Sequence, residues 1–231
     1  MLCTYSTTGW NWTKLTQSYS AGAAGNFLAP ISDLSANAFK SVIDIDVLGS
    51  YNTLKSTIPH LLKSSSKNPN SASQASPNTG GRIIFVSATL HYVGNPLQAH
   101  VMTAKAGVDA LSSSVCLEYG PYGITSNVIA PGPIEGTEGM ARLAGDDGRK
   151  KASTTIPLGR YGTVKEIADA TVYLFSDAGN YVNGATLIVD GGSWRAPGLY
   201  GMEGDMMYPK IVMGGAMPKG VKSGRKEKAK I

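Results

Sequence analysis

Three residues in this chain combine a reactive side chain with an unusual setting. Asp46 stands between Ile45 and Val47 in a stretch whose apolar residues recur at helical spacing. A carboxylate on such a face needs a cationic partner or a raised pKa, because burial disfavours its charged form. Lys105 is flanked by Ala104, Ala106 and Gly107, small residues that let another backbone come close. It is the natural partner for Asp46, and a carboxylate paired with an ammonium can hold a proton-donating water. Ser87 ends the apolar run Ile83-Ile84-Phe85-Val86, where a hydroxyl can donate to a substrate oxygen or simply order the next turn. His100 lies five residues before Lys105, and a place in a substrate loop or a plain helix start suits it better than general-acid duty. Each residue also has a bland reading: a solvated lysine, a surface carboxylate like Asp44, a serine in a turn.

Positioning these groups takes a set of elements that the pattern supplies. From Ser35 to Leu62, apolar residues including Phe39, Val42, Val47, Leu48 and Leu54 recur at three- and four-residue steps, which predicts a helix with one buried face. Ser35 suits its N-cap, and Pro59 is expected to bend or break its far end. Residues 64–81 are low-complexity and polar, and read as an exposed, disordered insertion in a loop. Ile83 to Val86 suits a buried parallel strand, and a second helix follows from about Gln98 to Tyr119, ended by Gly120-Pro121. Ile124 to Ala130 reads as a strand stopped by Pro131-Gly132-Pro133, Val164 to Phe175 as a helix, and Thr186 to Val189 as a last strand. Strands alternating with helices predict an α/β fold with a doubly wound parallel sheet. Such sheets bind ligands at the carboxyl ends of their strands, where Ser87 and Pro131-Gly132 fall.

Composition narrows the partners. The 231 residues are 42% hydrophobic and 16% charged, which suits one α/β domain. No run approaches the ~20 apolar residues that a membrane helix needs, so no membrane span is expected. Cys3 and Cys116 have neither the number for a disulfide framework nor the spacing of zinc ligands, and no metal is expected. The net charge of +5 resides in the tail: residues 1–194 carry 13 Lys/Arg and 13 Asp/Glu, residues 195–231 carry 8 and 3. The tail reads as solvated, and with a neutral folded part nucleic-acid binding is not expected.

Five pieces in this order and spacing resemble the short-chain dehydrogenase/reductase family over about residues 21–194. They are Ala21-Gly22-Ala23-Ala24-Gly25, Ser87 after a strand, Lys105 in a helix, Pro131-Gly132-Pro133-Ile134, and Val189-Asp190-Gly191-Gly192. Departures from the ordinary pattern narrow the match. Most members carry a Tyr four residues before the Lys, and this chain has Val101; the usual helix Asn is Asp46. Leu90 stands fifteen residues before the Lys, where mitochondrial dienoyl-CoA reductases have a Tyr. With Gly25-Asn26-Phe27-Leu28-Ala29-Pro30 and the stretch from Ala130 to Gly139, the chain looks like the peroxisomal 2,4-dienoyl-CoA reductases.

The resemblance implies NADPH-dependent reduction of an unsaturated fatty acyl-CoA, a 2,4-dienoyl thioester, to the 3-enoyl-CoA in β-oxidation, by a homo-oligomer. Lys105 would hold the nicotinamide ribose hydroxyls, Asp46 with Lys105 a water, and Ser87 the thioester carbonyl. Pro131, Gly132, Pro133 and Ile134 would cradle the nicotinamide carboxamide, Thr137 would bond the pyrophosphate, and Gly22 and Ala23 would lie by the adenosine ribose. Tyr92 is expected as pocket wall. The last tripeptide, Ala229-Lys230-Ile231, resembles a variant of the Ser-Lys-Leu peroxisomal address.

Family members begin with a strand and a Gly-rich turn that binds the pyrophosphate, and neither is in this sequence. The expected fold is therefore an incomplete Rossmann-like sheet lacking its first strands and Gly-rich loop. Residues 1–20 are expected to stand outside it, because Leu15-Thr16-Gln17-Ser18-Tyr19-Ser20 lacks the anticipated apolar run. Residues 21–194 would form the partial domain and 195–231 a basic tail. Without the anion site, a chain inactive as it stands is the expectation. Two other readings stay open: a non-catalytic subunit assembling with a full-length reductase, and another short-chain dehydrogenase, against which Val101 speaks.

Overall fold

A computed structural model of the chain describes residues 15–19, 27–67, 80–143 and 155–196. Four strands, β1 (Leu15–Tyr19), β2 (Gly81–Val86), β3 (Ile124–Pro131) and β4 (Thr186–Val189), pair in that order, and every pair is parallel. Parallel neighbours need crossovers, and helices supply them. The first crossover is α1 (Ala36–Ile43), a π-helical turn (Asp44–Leu48) and α2 (Gly49–Lys67) in unbroken succession. The Ser35 hydroxyl caps α1 by accepting the Ala38 N–H at 3.2 Å. The second crossover holds the short α3 (Leu90–Val93) and the long α4 (Ala99–Tyr119). The third holds α5 (Glu138–Leu143) and α6 (Val164–Phe175), the latter opened by a capping box between Thr163 and Glu166.

Alternation along β2 divides the core between the two faces of the sheet. Ile83 and Phe85 face α2 and α4 and pack with Leu54, Leu61, Val108 and Val115. Ile84 faces the other way, with Ile129 and Leu174 of α6. Helices on both faces make the sheet doubly wound, as its parallel order implies. Because every step runs the same way across the sheet, the crossover through α6 has the opposite hand to the first two, against the general rule.

Three expectations are corrected. Pro59 does not end its helix: α2 runs through it to Lys67. The proline removes the hydrogen bond to the Lys55 carbonyl, but both residues lie on the exposed side where water can serve that carbonyl, while Leu54, Thr57, Leu61 and Ser65 stay buried. The polar insertion is shorter than 64–81: residues 64–67 are helical, and Gly80 lies so close to Ser65 that an added Cβ would be 2.1 Å from the Ser65 Cα. Its remainder, residues 68–79, lies outside the described residues, as does the tail after residue 196. The third difference is β1, which pairs from Leu15↔Gly81 to Tyr19↔Phe85 inside the segment expected to stand outside the fold. Ladder bonds come from the backbone, and Thr16 and Tyr19 favour extended chain, so a continuous apolar run was too strict a requirement.

Candidate active site

The carboxyl ends of β1 to β3, the π-helical turn and the first half of α4 converge on one place. The π-helical turn sets Asp46. It widens the helix by a residue between α1 and α2, a distortion found mostly at functional sites. Val47, in the same turn, packs so tightly on Gly107 of α4 that a Cβ there would be 2.9 Å from the Val47 Cγ2. That approach carries Asp46 inward until it is 1% exposed. Its Oδ2 lies 3.3 Å from the Lys105 Nζ, and Lys105 is itself buried. Asp46 Oδ1 has no hydrogen-bond partner.

Lys105 also reaches the end of β2, where its Nζ donates to the Val86 carbonyl at 3.4 Å. Ser87 follows: its N–H donates to the Ile129 carbonyl at 2.8 Å, and its hydroxyl faces the Lys105 carbonyl at 3.5 Å, the outer limit of a hydrogen bond. Asp46, Ser87 and Lys105, singled out from sequence, are thus brought together. Val101, one turn before Lys105, is buried against Val42 and Ala104 and offers no phenol. Tyr92 does not supply one either. Its hydroxyl donates to Asp109, and burial, with that bond, pushes its pKa up to about 12.

Some residues expected to hold a cofactor are free to do so and others are engaged. The Gly132 N–H is taken by the Val189 carbonyl at 3.0 Å, and a Cβ at Gly132 would clash with Asp190, so this glycine serves backbone packing. Ile134 forms a parallel bridge with Gly162, in which Glu135 N–H donates to the Gly162 carbonyl and Gly162 N–H to the Pro133 carbonyl. The Ile134 N–H therefore faces away from that bridge, with no partner among the described residues. It is an orphan donor suited to a carboxamide oxygen. The Thr137 hydroxyl already donates to the Ile134 carbonyl at 2.9 Å and accepts the Met140 N–H at 3.4 Å, capping α5. Pro131 ends β3. Gly22 and Ala23 lie outside the described residues. A buried cation beside the strand ends and a free backbone donor at Ile134 fit a nicotinamide ribose and carboxamide.

The sequence reading missed two arrangements. Asp109 follows Lys105 by four residues, the spacing of a helical ion pair, yet its Oδ2 takes His91 Nε2 at 2.7 Å and the Tyr92 hydroxyl instead. Arg82 lies within β2 and is 2% exposed. It donates to the Ser176 carbonyl and Asn180 Oδ1 and meets Asp177 at 3.5 Å, holding the start of the α6–β4 connection. An arginine at the head of an apolar run was the available signal.

A family model described as enoyl-(acyl carrier protein) reductase matches residues 15–193, which includes β1. The chain is 49% identical over 193 residues to the peroxisomal 2,4-dienoyl-CoA reductase of Saccharomyces cerevisiae, covering 84% of this chain and 60% of that protein. It is 44% identical over 173 residues to that of Arabidopsis thaliana, covering 74% and 56%. Among solved structures it resembles a short chain dehydrogenase from Bacillus anthracis, with a TM-score of 0.62 and 36% identity over 78% of this chain and 64% of that one. A gluconate 5-dehydrogenase from Burkholderia cenocepacia in complex with NADP and tartrate gives 0.67 and 26% identity over 79% and 65%. The chain spans less than two-thirds of the length of each.

Proposed function

Because this chain belongs to the short-chain dehydrogenase/reductase family, we propose that its site is that of an NADPH-dependent 2,4-dienoyl-CoA reductase yielding 3-enoyl-CoA. The observation that carries the reading is the buried Asp46–Lys105 pair beside a valine where a carbonyl reductase of this family needs its phenol. Reduction of a carbonyl requires a proton on oxygen. Reduction of a 2,4-dienoyl thioester requires one at Cα, once hydride has reached Cδ and negative charge has spread to the thioester oxygen. A bound nicotinamide cofactor supplies the hydride.

The chain's own groups do the rest. Lys105 brings positive charge to the strand ends, where it favours the developing negative charge and holds ribose hydroxyls. Asp46 Oδ1, buried and unpartnered, accepts a hydrogen bond from a water. Lys105 Nζ–H donates to that water's oxygen; when the water's other proton passes to Cα, the hydroxide left behind takes a proton from the Lys105 ammonium, which is reprotonated from solvent. Ser87 holds the loop after β2 in place and offers only a weak donor to the thioester oxygen. Ile134 N–H takes the carboxamide. Pro131 shapes the strand end, and Gly22, Ala23 and Thr137 are proposed for the adenosine and pyrophosphate end, Thr137 only after its hydroxyl releases the Ile134 carbonyl.

The test is NADPH-dependent loss of 2,4-dienoyl-CoA absorbance by the purified chain, with the 3-enoyl product identified; such turnover would also overturn the expectation that the chain is inactive as it stands. Turnover unchanged in Asp46→Asn would remove Asp46 from the chemistry, and failure to bind any acyl-CoA would overturn the reading. A peroxisomal location is proposed with it, from the names of the relatives and from Ala229-Lys230-Ile231, which lies outside the described residues. Among the described residues no helix is long and apolar enough to cross a membrane.

One observation favours assembly with a second chain. Ile45, Leu48 and Tyr51, spaced three apart along the π-helical turn and α2, are each more than two-fifths exposed. A homo-oligomer joined through this face follows, and it equally suits a subunit that joins a full-length reductase. Ile45→Glu with Leu48→Glu should shift the chain to a smaller species in light scattering. Unchanged mass would count against that interface.

A further inference from the structure

Three of the four residues 97–100, at the start of α4, carry costs that packing does not explain. Leu97 has φ +68°, the one non-glycine among the described residues in the left-handed region, and a branched side chain there is strained. It is held by a hydrogen bond from the Ala29 N–H to its carbonyl at 3.0 Å. Gln98 is buried, and although its Oε1 accepts the Asn95 side-chain amide, its own Nε2 has no partner. His100 is 0% exposed, and neither Nδ1 nor Nε2 has a hydrogen bond of good geometry. Leaving a buried donor or acceptor unpaired costs about 1–3 kcal/mol each. Such orphans are rare in native proteins, and strain that is kept marks sites of binding more often than chance.

The place of His100 relative to the candidate site follows from its neighbours. Val101, the next residue, packs on Val42, which precedes Asp46 by about one helical turn. Side chains on a helix lean toward its N-terminus, so the Lys105 ammonium is carried back toward the turn of His100 and Val101. The imidazole stacks on Phe27 with ring centroids 4.5 Å apart, and Phe27 is 37% exposed, so its other face is open. Burial pushes the His100 pKa down, and a weak hydrogen bond with the Phe27 backbone, outside good hydrogen-bond geometry, opposes it. The neutral ring carries one N–H donor whichever tautomer holds. Gln98 Nε2 can only donate and has no partner. One buried donor held only weakly and a second with no acceptor call for an acceptor oxygen.

We propose that His100 is a ligand-binding residue of this site, its imidazole N–H donating to a carbonyl oxygen of the acyl-CoA, with the Gln98 carboxamide as a second donor. The proposal rests on the reductase reading for the identity of the ligand. Two kinds of carbonyl on that ligand share the required chemistry, the thioester and the amides of the pantetheine arm. Phe27, stacked over the imidazole, shields the bond from water and so strengthens it.

The experiment compares the whole chain with His100→Phe, which keeps an aromatic ring under Phe27 and removes both nitrogens. If the imidazole only fills space, the variant binds acyl-CoA as before. Replacing an unsatisfied polar ring by an apolar one is neutral or stabilising for the fold, so the melting temperature should hold or rise. Binding of 2,4-hexadienoyl-CoA, read by calorimetry, should weaken up to about tenfold, the worth of one hydrogen bond. His100→Gln, which keeps a donor, should recover part of the loss, and Gln98→Leu should reproduce it in a background where His100 is untouched. Equal affinity in the chain and in both His100→Phe and Gln98→Leu overturns this inference alone. No binding by the unsubstituted chain overturns it together with the reductase reading. A thioether analogue of the ligand assigns the carbonyl: a penalty that persists points to a pantetheine amide, and one that vanishes points to the thioester.

Discussion

Replacing Lys105 by Met removes a buried cation while keeping the length and most of the packing of the side chain. At 3.3 Å and an effective dielectric constant near 20, the attraction between Lys105 and Asp46 is about 5 kcal/mol before desolvation is counted. Losing it strands Asp46, 1% exposed, as a buried carboxylate with neither oxygen compensated. Breaking such a pair from one side typically costs about 3–5 kcal/mol, whereas replacing both partners is often close to neutral. The expected pattern is a large loss for Lys105→Met and a much smaller one for Lys105→Met with Asp46→Asn. For a domain of this size each kcal/mol moves the melting temperature by about 2–4 °C, so the single variant should melt ~10 °C lower. Urea unfolding of the four species in a double-mutant cycle measures the coupling directly. Losses below about 1 kcal/mol for each single variant, adding without coupling, would refute the reasoning, since that is how an exposed pair behaves.

Arg82→Met removes the buried guanidinium and its hydrogen bonds to the Ser176 carbonyl and Asn180 Oδ1, and should cost about 2–4 kcal/mol in urea unfolding, with little effect on ligand affinity. Gly107→Ala pushes a methyl to 2.9 Å from Val47 Cγ2 and should cost about 1–3 kcal/mol despite better helix propensity, with Val47→Ala restoring much of it. His100 has a depressed pKa, so the unfolded chain binds its proton first as pH falls through about 6.5. Stability from this group is therefore full above that pH and declines below it, and His100→Phe should flatten the acid limb of a melting-temperature profile. Tyr92, pushed up to about 12, should ionise well above the ordinary phenol range in an ultraviolet titration. Here the unfolded chain loses its proton first, so stability falls between about pH 10 and 12, and Tyr92→Phe should remove that step.

How much of this was readable depended on whether a local pattern or a tertiary contact set the feature. The long helices and three of the strands follow from apolar periodicity, and Val164–Phe175 and Thr186–Val189 end where their caps and glycines say they should, while the short α3 and α5 were not foreseen. The Asp46–Lys105 pair was legible because a carboxylate between two β-branched apolar residues has few alternatives to a buried cation. β1 was not, since backbone pairing needs no apolar run and its partner lies more than sixty residues away. The π-helical turn was hidden as well: nothing in Asp44-Ile45-Asp46-Val47-Leu48 distinguishes it from ordinary helix, and the close fit of Val47 on Gly107 that goes with it is a tertiary contact. His100 was read as a substrate-loop residue or a helix start, and it does stand at the start of α4, but the sequence could not show that its ring would be buried with neither nitrogen in a hydrogen bond of good geometry.

The two halves of α4 do different work, and the difference constrains where the protein can be improved. In the second half, Val108 and Val115 pack into the main core, Ser112 exchanges a 2.9 Å hydrogen bond with Ser126 of β3, and Asp109 is held by His91 and Tyr92 through Oδ2 while its Oδ1 stays unpaired. In the first half the chain keeps a strained Leu97, an orphan amide on Gln98, an orphan imidazole on His100 and a lysine whose partner has one oxygen unpaired. A protein selected only for stability would have replaced these groups, because apolar residues of similar shape cost less. Their concentration at one end of a helix whose remainder keeps only Asp109 Oδ1 unpaired is what a binding site requires: donors and charge held ready, with the cost of their desolvation met by packing elsewhere. It follows that stabilising substitutions should cluster at positions 97, 98 and 100 and should weaken ligand binding there. Equally stabilising changes from position 108 onward should leave binding untouched.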